Sequence, residues 1–489
     1  MHIVHATSEL HPFSKTGGLA DMVGALAQAL ARAGHRVDVV TPLYRGIRIR
    51  HPGIAPANWR FDLPLGPKLV SGEFWKLQPE ANLTLWFVDQ PEYFDRAGIY
   101  NERNVDYPDN AERFTFFSKA AALLARHGGG FPQILHCHDW QTGLIPMLVR
   151  EAATRGAWSS APKTLLTIHN LAYQGWFPST AFGFTNLPPA WFHQESAEAW
   201  QQMNCLKAGL NLSDALSTVS PRYAREICTP EFGCGLDPLL RRREHELTGI
   251  LNGVDYGEWN TTSNPALPHA YDSNHLAGKA ANKRALQEEL GLKLDAAVPL
   301  FTNITRLTDQ KGADFQLTAL EEVLEAGESL QFALLGSGDP VLEAGYRALA
   351  VKFPGQVAAR IGFDPKLAHR LEAGADFYLM PSRFEPCGLN QLYSLRYGTI
   401  PVVRATGGLD DSVIDARDAA SEDGNLATGI KFTEPTPDAL AHAIRKALAL
   451  FADPYWIARY RRNGMESDFS WERQSRHYVE LYDTLIQSL

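Results

Sequence analysis

The 489-residue chain is poor in cysteine, with five: Cys137, Cys205, Cys228, Cys234 and Cys387. They are odd in number, scattered and free of any CxxC pair. That sets aside disulfide scaffolds and zinc fingers and fits a reduced, cytoplasmic protein. Cations are in the minority, 46 Lys and Arg against 55 Asp and Glu, for a net charge of −9. Attraction of the whole surface to nucleic acid or to an anionic membrane is therefore not expected, although a local basic pocket stays open. No apolar run approaches the ~18–20 residues that cross a bilayer. The start, Met1-His2-Ile3-Val4-His5-Ala6, lacks the basic and apolar regions of a signal peptide. Neither GxGxxG nor GxxxxGK occurs, so a dinucleotide fingerprint and a P-loop are both excluded. Asp-x-Asp, a pair that commonly holds a divalent metal on a nucleotide diphosphate, is also missing.

What is present reads as alternating strands and helices. The composition, 45% hydrophobic and 21% charged, is that of a globular protein. Its length suits roughly three domains or two large ones. Ile3-Val4-His5-Ala6 predicts a short strand. Leu19, Met22, Val23, Leu26 and Leu30 recur at helical spacing, Gly34 stops that helix, and Val37, Val39 and Val40 begin the next strand. This βαβ unit implies a parallel sheet. Further strands are expected at 134–136, 165–169 and 216–219, each ending at polar residues. A second series follows: a strand over 298–304, a loop carrying Arg306 and Lys311, a helix through Leu317, Leu320 and Leu324, and strands at 330–335, 377–380 and 400–403. In this reading Gly336-Ser337-Gly338-Asp339 caps the strand at 330–335. The fold class is α/β, with two doubly wound domains spanning 1–249 and 250–465. The remainder, 466–489, is a terminal helix that starts at Ser470, with Tyr478, Leu481, Tyr482 and Leu485 on one face, and packs back on the first domain. Thr16-Gly17-Gly18-Leu19-Ala20-Asp21 is echoed by Thr406-Gly407-Gly408-Leu409-Asp410-Asp411. Both loops can offer backbone N–H groups to an anion at a helix start.

Five stretches carry candidate chemistry. Lys15-Thr16-Gly17-Gly18 is either a phosphate site or a tight turn with a solvated lysine. Arg306 and Lys311 either hold a diphosphate or decorate a solvated loop. Glu385, in Ser382-Arg383-Phe384-Glu385-Pro386-Cys387-Gly388-Leu389, either faces a pocket or is a helix N-terminal charge. Cys387 reads as a packed thiol. His136 and His138 share a strand face, but no second ligand pair is evident, so no metal site is expected. Asp139, Trp140, His169 and Asn170 read better as a sugar pocket, or as hydrogen-bonded structural residues.

Jointly these stretches resemble the bacterial glycogen synthases and plant starch synthases. Six segments carry the resemblance: Lys15-Thr16-Gly17-Gly18-Leu19-Ala20-Asp21, His138-Asp139-Trp140, His169-Asn170-Leu171-Ala172-Tyr173-Gln174-Gly175, Leu251-Asn252-Gly253-Val254-Asp255, Arg306-Leu307-Thr308 with Gln310-Lys311-Gly312, and 382–389. The resemblance implies a GT-B fold, two Rossmann-like domains facing across a cleft. It implies a retaining glucosyltransferase that moves glucose from ADP-glucose to the non-reducing end of glycogen or another α-1,4-glucan. No cofactor and no metal are implied. Arg306 and Lys311 match a diphosphate clamp, Glu385 the carboxylate beside the donor glucose, and His169 and Asn170 glucose contacts. Lys15, Gly17, Gly18 and Asp21 match the donor site, and Asp139 and Trp140 the acceptor side. Tyr100 matches a neighbour of the transferred glucose, Phe363 an aromatic that stacks on adenine, and Gly388 and Leu389 helix-terminal amides on phosphate. Asn252 and Cys387 complete the implied substrate-binding set. Relatives often have His where this chain has Gln141 and Thr where it has Asn390. A different donor, such as UDP-glucose, and a non-catalytic glucan-binding module are the competing readings.

Overall fold

The computed structural model describes every residue except 104, 159, 419, 420, 422, 423, 488 and 489. The chain divides into two compact units. One comprises Met1–Val219, Ala224–Gly253 and Trp471–Leu489; the other comprises Ser220–Tyr223 and Val254–Ser470. Among the described residues no helix is long and apolar enough to cross a membrane.

The first unit is built on a nine-stranded sheet. Its strands run in the order Leu247–Gly249, Ala215–Thr218, Lys163–Ile168, Ile134–His138, His2–Ala6, Arg36–Pro42, Leu83–Asp89, Lys68–Glu80, Ala55–Leu65. The first seven are mutually parallel; the last two attach antiparallel as a long hairpin. That hairpin, 55–80, was not expected from the sequence. Helix Gly18–Arg32 buries the predicted stripe: Met22, Val23, Leu26 and Leu30 are at most 1% exposed. Each such side chain contributes about 1.5–3 kcal/mol on burial. Gly34 follows the helix at φ +91°, a left-handed exit that a side chain would oppose. The terminal helix Trp471–Gln487 belongs to this unit and buries Tyr478, Tyr482 and Leu485. Tyr482 Oη lies 2.8 Å from His136 Nδ1.

The second unit holds six parallel strands in the order Val357–Ile361, Gln331–Gly338, Leu300–Leu307, Phe377–Met380, Ile400–Arg404, Ile430–Phe432. Two strands run further than the sequence suggests. Arg306 lies inside a strand rather than in a loop, paired with Ser337, and Gly336 to Gly338 extend the neighbouring strand instead of capping it. Sterics explain the extension. A Cβ on Gly336 would sit 2.1 Å from the Thr305 carbonyl oxygen, and one on Gly338 2.3 Å from that of Leu307. Only glycine lets the two backbones stay this close.

Both sheets reverse their winding once. In the first unit this happens between His2–Ala6 and Ile134–His138; in the second, between Leu300–Leu307 and Phe377–Met380. Crevices at the carboxyl ends of such strand pairs are where open α/β sheets bind ligands.

Candidate active site

At the first unit's switch point, the strand His2–Ala6 runs into a buried carboxylate. Glu9 is 3% exposed. Its oxygens accept from Thr16 N at 2.5 Å, Thr16 Oγ1 at 2.6 Å, Gly17 N at 3.2 Å and Tyr100 Oη at 2.7 Å. Since Tyr100 donates to Glu9, Ser8 Oγ, 2.7 Å away, donates to Tyr100. Burial and the Glu9 charge hold the Tyr100 phenol well above its usual range. The amides of Thr16 and Gly17 are therefore bound to Glu9, not open to an incoming anion. Glu9 was missed in the sequence because its partners arrive from 7 and 91 residues away. Lys15 is exposed and pairs with Asp21 at 2.7 Å. Gly17 has an extended backbone, φ −153°, and a Cβ there would meet nothing within 4 Å.

The neighbouring strand Ile134–His138 ends at Asp139, held at φ +57°. Its carboxylate accepts from His169 N at 2.7 Å and so braces the 169–170 loop. Burial raises its pKa to about 7, against the stabilising amides of His169 and Asn170. Trp140 packs against Phe114 and Phe177, and a Cβ on Gly175 would touch its ring at 2.4 Å. Asn170 Oδ1 accepts from Ala172 N, an Asx turn. Asn252 is buried. Gln141, one of the two departures, is buried as well.

The histidines form a chain. Register places His5 opposite His136, on the strand next to the pair predicted to share a face. His5 Nδ1 lies 3.1 Å from His138 Nε2, and His138 Nδ1 lies 3.1 Å from His169 Nε2. His136 meets Tyr482 Oη and Thr167 Oγ1. His5, His136 and His138 thus bring one ring nitrogen each within 4.8 Å of one another. Among the described residues only His5 Nε2 of this trio lacks a partner, so hydrogen bonds already account for the grouping. Burial drives His5 and His169 down to about 3, and His136 and His138 well below their usual range. All four are neutral at neutral pH, and a neutral imidazole has one donor and one acceptor nitrogen. The tautomer of His169 is therefore coupled through His138 to that of His5.

In the second unit, two loops meet at the switch point. Lys311 Nζ lies 2.5 Å from Glu385 Oε2, and Ser382 Oγ donates to the same oxygen at 2.8 Å. Glu385 is 6% exposed. Arg383 forks onto Asp314 with two bonds of 2.7 Å and donates its backbone N–H to the Gln310 carbonyl, fastening the loops together. Arg306 is exposed, with no ion-pair partner among the described residues. Cys387 is buried and forms no disulfide. Gly388 turns the chain at φ +72° into helix Asn390–Tyr397, for which Leu389 is the N-cap. Asn390, the other departure, donates to the Ile304 carbonyl and to Tyr378 Oη, both at 2.6 Å. Phe363 follows the strand Val357–Ile361 and is 91% exposed.

The second glycine loop differs from the first. A Cβ on Gly407 would lie 1.9 Å from the Glu385 carbonyl oxygen, and one on Gly408 2.1 Å from that of Cys387. The Gly408 N–H already bonds the carbonyls of Glu385 and Pro386. This loop is a packing surface for the 385–387 segment and has no amide open to an anion at Gly408.

Comparison with known proteins joins the two switch points to one family. Residues 2–242 match the family described as starch synthase catalytic domain, and residues 287–454 match glycosyl transferases group 1. A glycogen synthase of Syntrophotalea carbinolica is 44% identical over 487 residues, covering 100% of this chain and 99% of that protein. One from Anaeromyxobacter sp. strain Fw109-5 is 48% identical over 488 residues, covering 99% of each. The chain belongs to the glycogen and starch synthase family. The catalytic domain of Arabidopsis thaliana starch synthase IV, solved with ADP and acarbose, superimposes at a TM-score of 0.89 with 32% identity, covering 99% of both chains. A sucrose-phosphate synthase from Thermosynechococcus elongatus, 18% identical at a TM-score of 0.62, shares the GT-B fold. As a member of this synthase family, the protein is a retaining glycosyltransferase of that fold.

Proposed function

We infer that the protein transfers glucose from ADP-glucose to the non-reducing end of an α-1,4-glucan with retention of configuration, releasing ADP. Kinship over essentially the whole length with proteins named glycogen synthase carries this reading. The solved relative with ADP and acarbose, a nucleoside diphosphate and a glucan analogue, supports it.

The second unit supplies the leaving-group chemistry. Arg306 and Lys311 take up charge that develops on the diphosphate as its bond to the sugar breaks. Side-chain cations provide this compensation, so we assign it to no metal. Glu385, fixed by Lys311 and Ser382, faces donor hydroxyls and stabilises positive charge on the sugar. Gly388 and Leu389 lend amides to phosphate, Phe363 offers an exposed ring to adenine, and the buried Cys387 backs the loop. The first unit handles sugar. His169, in a tautomer set by the histidine chain, contacts the transferred glucose with Asn170, and Tyr100 and Asn252 complete its surroundings. Lys15, Asp21, Gly17 and Gly18 belong to the donor side. Gly17 is exposed and a Cβ there would meet nothing within 4 Å, and we assign the open space beside it to the donor. Asp139 and Trp140 shape the acceptor side, Asp139 through the 169–170 loop. With no side chain assigned as covalent nucleophile, attack comes from the face of departure, and the leaving phosphate accepts the acceptor's proton.

The test is nucleotide release by the full-length chain with glycogen, supplied with ADP-glucose or UDP-glucose, with and without EDTA. Expected are dominant ADP release, insensitivity to EDTA, and new linkages cut by α-amylase. Dominant UDP release overturns the donor assignment, and glycogen binding without turnover returns the protein to a binding module.

A further inference from the structure

Exposed tryptophan is rare in a folded surface, and the first unit displays two together. Trp200 is 74% exposed and Trp176 37% exposed. Their rings are nearly parallel, at 15°, with centroids 5.7 Å apart. Trp176 opens the strand Trp176–Pro178, which pairs with Gln202–Asn204; that strand pairs in turn with Glu198–Ala199. Trp200 and Gln201 are the two-residue loop of the resulting hairpin.

The loop is strained. Trp200 has φ +47° and Gln201 φ +61°. Positive φ at both central positions is the demand of a type I′ turn, which Asn-Gly meets and Trp-Gln does not. A bulky side chain at positive φ is an outlier, and retained strain of this kind points to a role for the residue that bears it. One edge of the ring lies beside Gly235, where a Cβ would come within 3.3 Å of it. Exposed amides flank it at Gln201 and Gln202, and the nearby Glu198 carboxylate is engaged by the Gln201 N–H at 2.7 Å.

We propose that Trp176 and Trp200 form a platform for an α-1,4-glucan chain. The inference rests on the reading above in naming its ligand. Aromatic faces bind apolar, C–H-rich surfaces, and neutral amides at their rim suit hydroxyls better than charged groups. That combination fits an uncharged sugar ring better than a phosphate or a peptide. The platform is continuous in sequence with the sugar loop, since Trp176 follows His169 by seven residues. An exposed aromatic pair is otherwise a liability for self-association.

Three variants of the full-length chain test it: Trp200→Asn, Trp200→Ala and Trp176→Ala, with Phe131→Ala as an exposed aromatic elsewhere on the unit. Migration in native gels containing glycogen reads binding without turnover. All three platform variants should lose about tenfold in apparent glycogen affinity, the loss of one well-stacked ring, while Phe131→Ala is retarded like the parent. Trp200→Asn suits the turn, so its melting temperature should match or exceed the parent's even as glycogen binding falls. Undiminished retardation in the Trp200 and Trp176 variants overturns the proposal. So does a shift in oligomeric state, by size exclusion, without a change in glycogen affinity. If the parent binds glycogen through this pair but releases no ADP, the platform stands and the transferase reading fails.

Discussion

Lys311 and Glu385 can be separated into what they do for the fold and what they do for the reaction. At 2.5 Å and an effective dielectric near 20, their attraction is about 7 kcal/mol before desolvation. Taking two ions out of water offsets most of this, so the intact pair adds little net stability. Removing one partner is another matter. Lys311→Ala leaves Glu385 buried with Ser382 Oγ as its remaining donor, and Glu385→Ala leaves Lys311, 17% exposed, without its carboxylate. Each single variant should lose about 3 kcal/mol of stability. The double variant should lose about 1–2 kcal/mol, a coupling of several kcal/mol in urea denaturation. Turnover should behave differently. The Lys311 charge is assigned to the departing diphosphate, so Lys311→Ala should lower kcat about 10²–10³-fold. The double variant should stay as inactive as the worse single, although its stability returns. ADP release with saturating glycogen reads this directly. If stability costs simply add, the ion pair carries no structural weight. If Lys311→Ala keeps turnover within about tenfold of the parent, or the double variant regains it, the diphosphate assignment is wrong.

The two glycine loops make opposite predictions. Gly17→Ala meets no atom within 4 Å, so the melting temperature should hold while kcat/KM for ADP-glucose falls at least about tenfold, as a methyl enters ligand space. Gly408→Ala drives a Cβ onto the Cys387 carbonyl and should cost at least about 2 kcal/mol in thermal or chemical unfolding. Acid should destabilise the fold through the histidine chain. His5, His136 and His138 titrate near 6.5 when unfolded but far lower when folded, so their contribution is complete above pH 6.5 and declines as pH falls below it, by about 1.4 kcal/mol per pH unit for each group. His169, also lowered to about 3, acts in the same direction, whereas Asp139, raised to about 7, acts with the opposite sign between its unfolded pKa near 4 and pH 7, so the net slope of these five groups is that of about three imidazoles. Urea midpoints should climb steeply from pH 5.0 to 6.5 and level off above it, and a flat profile below pH 6.5 refutes the neutral chain.

What the sequence made legible was whatever is decided within one element. The stripe from Leu19 to Leu30 could be read because helical spacing alone buries it, and Gly34 because a left-handed exit is a local demand. Strand ends were read short at 304 and 335 because Arg306 and Ser337 look like loop residues. The close pairing that carries both strands on depends on Gly336 and Gly338 facing a neighbouring backbone. The site divides the same way. Glu385, Lys311 and Ser382 sit in compact motifs, and the structure brings them onto one carboxylate oxygen. Glu9 and His5 sit in no motif. Their importance comes from Tyr100, His138 and the glycine loop, partners supplied by sheet register and by distant loops. The echoed Thr-Gly-Gly-Leu segments show the limit most clearly. Five of six residues agree, yet one glycine opens empty space and the other is pressed against a carbonyl. Identity along the chain sets how a backbone can bend, but whether its amides are free is set by what the fold packs against them. The hairpin at Trp200 carries the same point further. No Gly or Asn marks its turn, so sequence alone passes over it, and only the φ angles reveal that an aromatic has been kept where the backbone resists it.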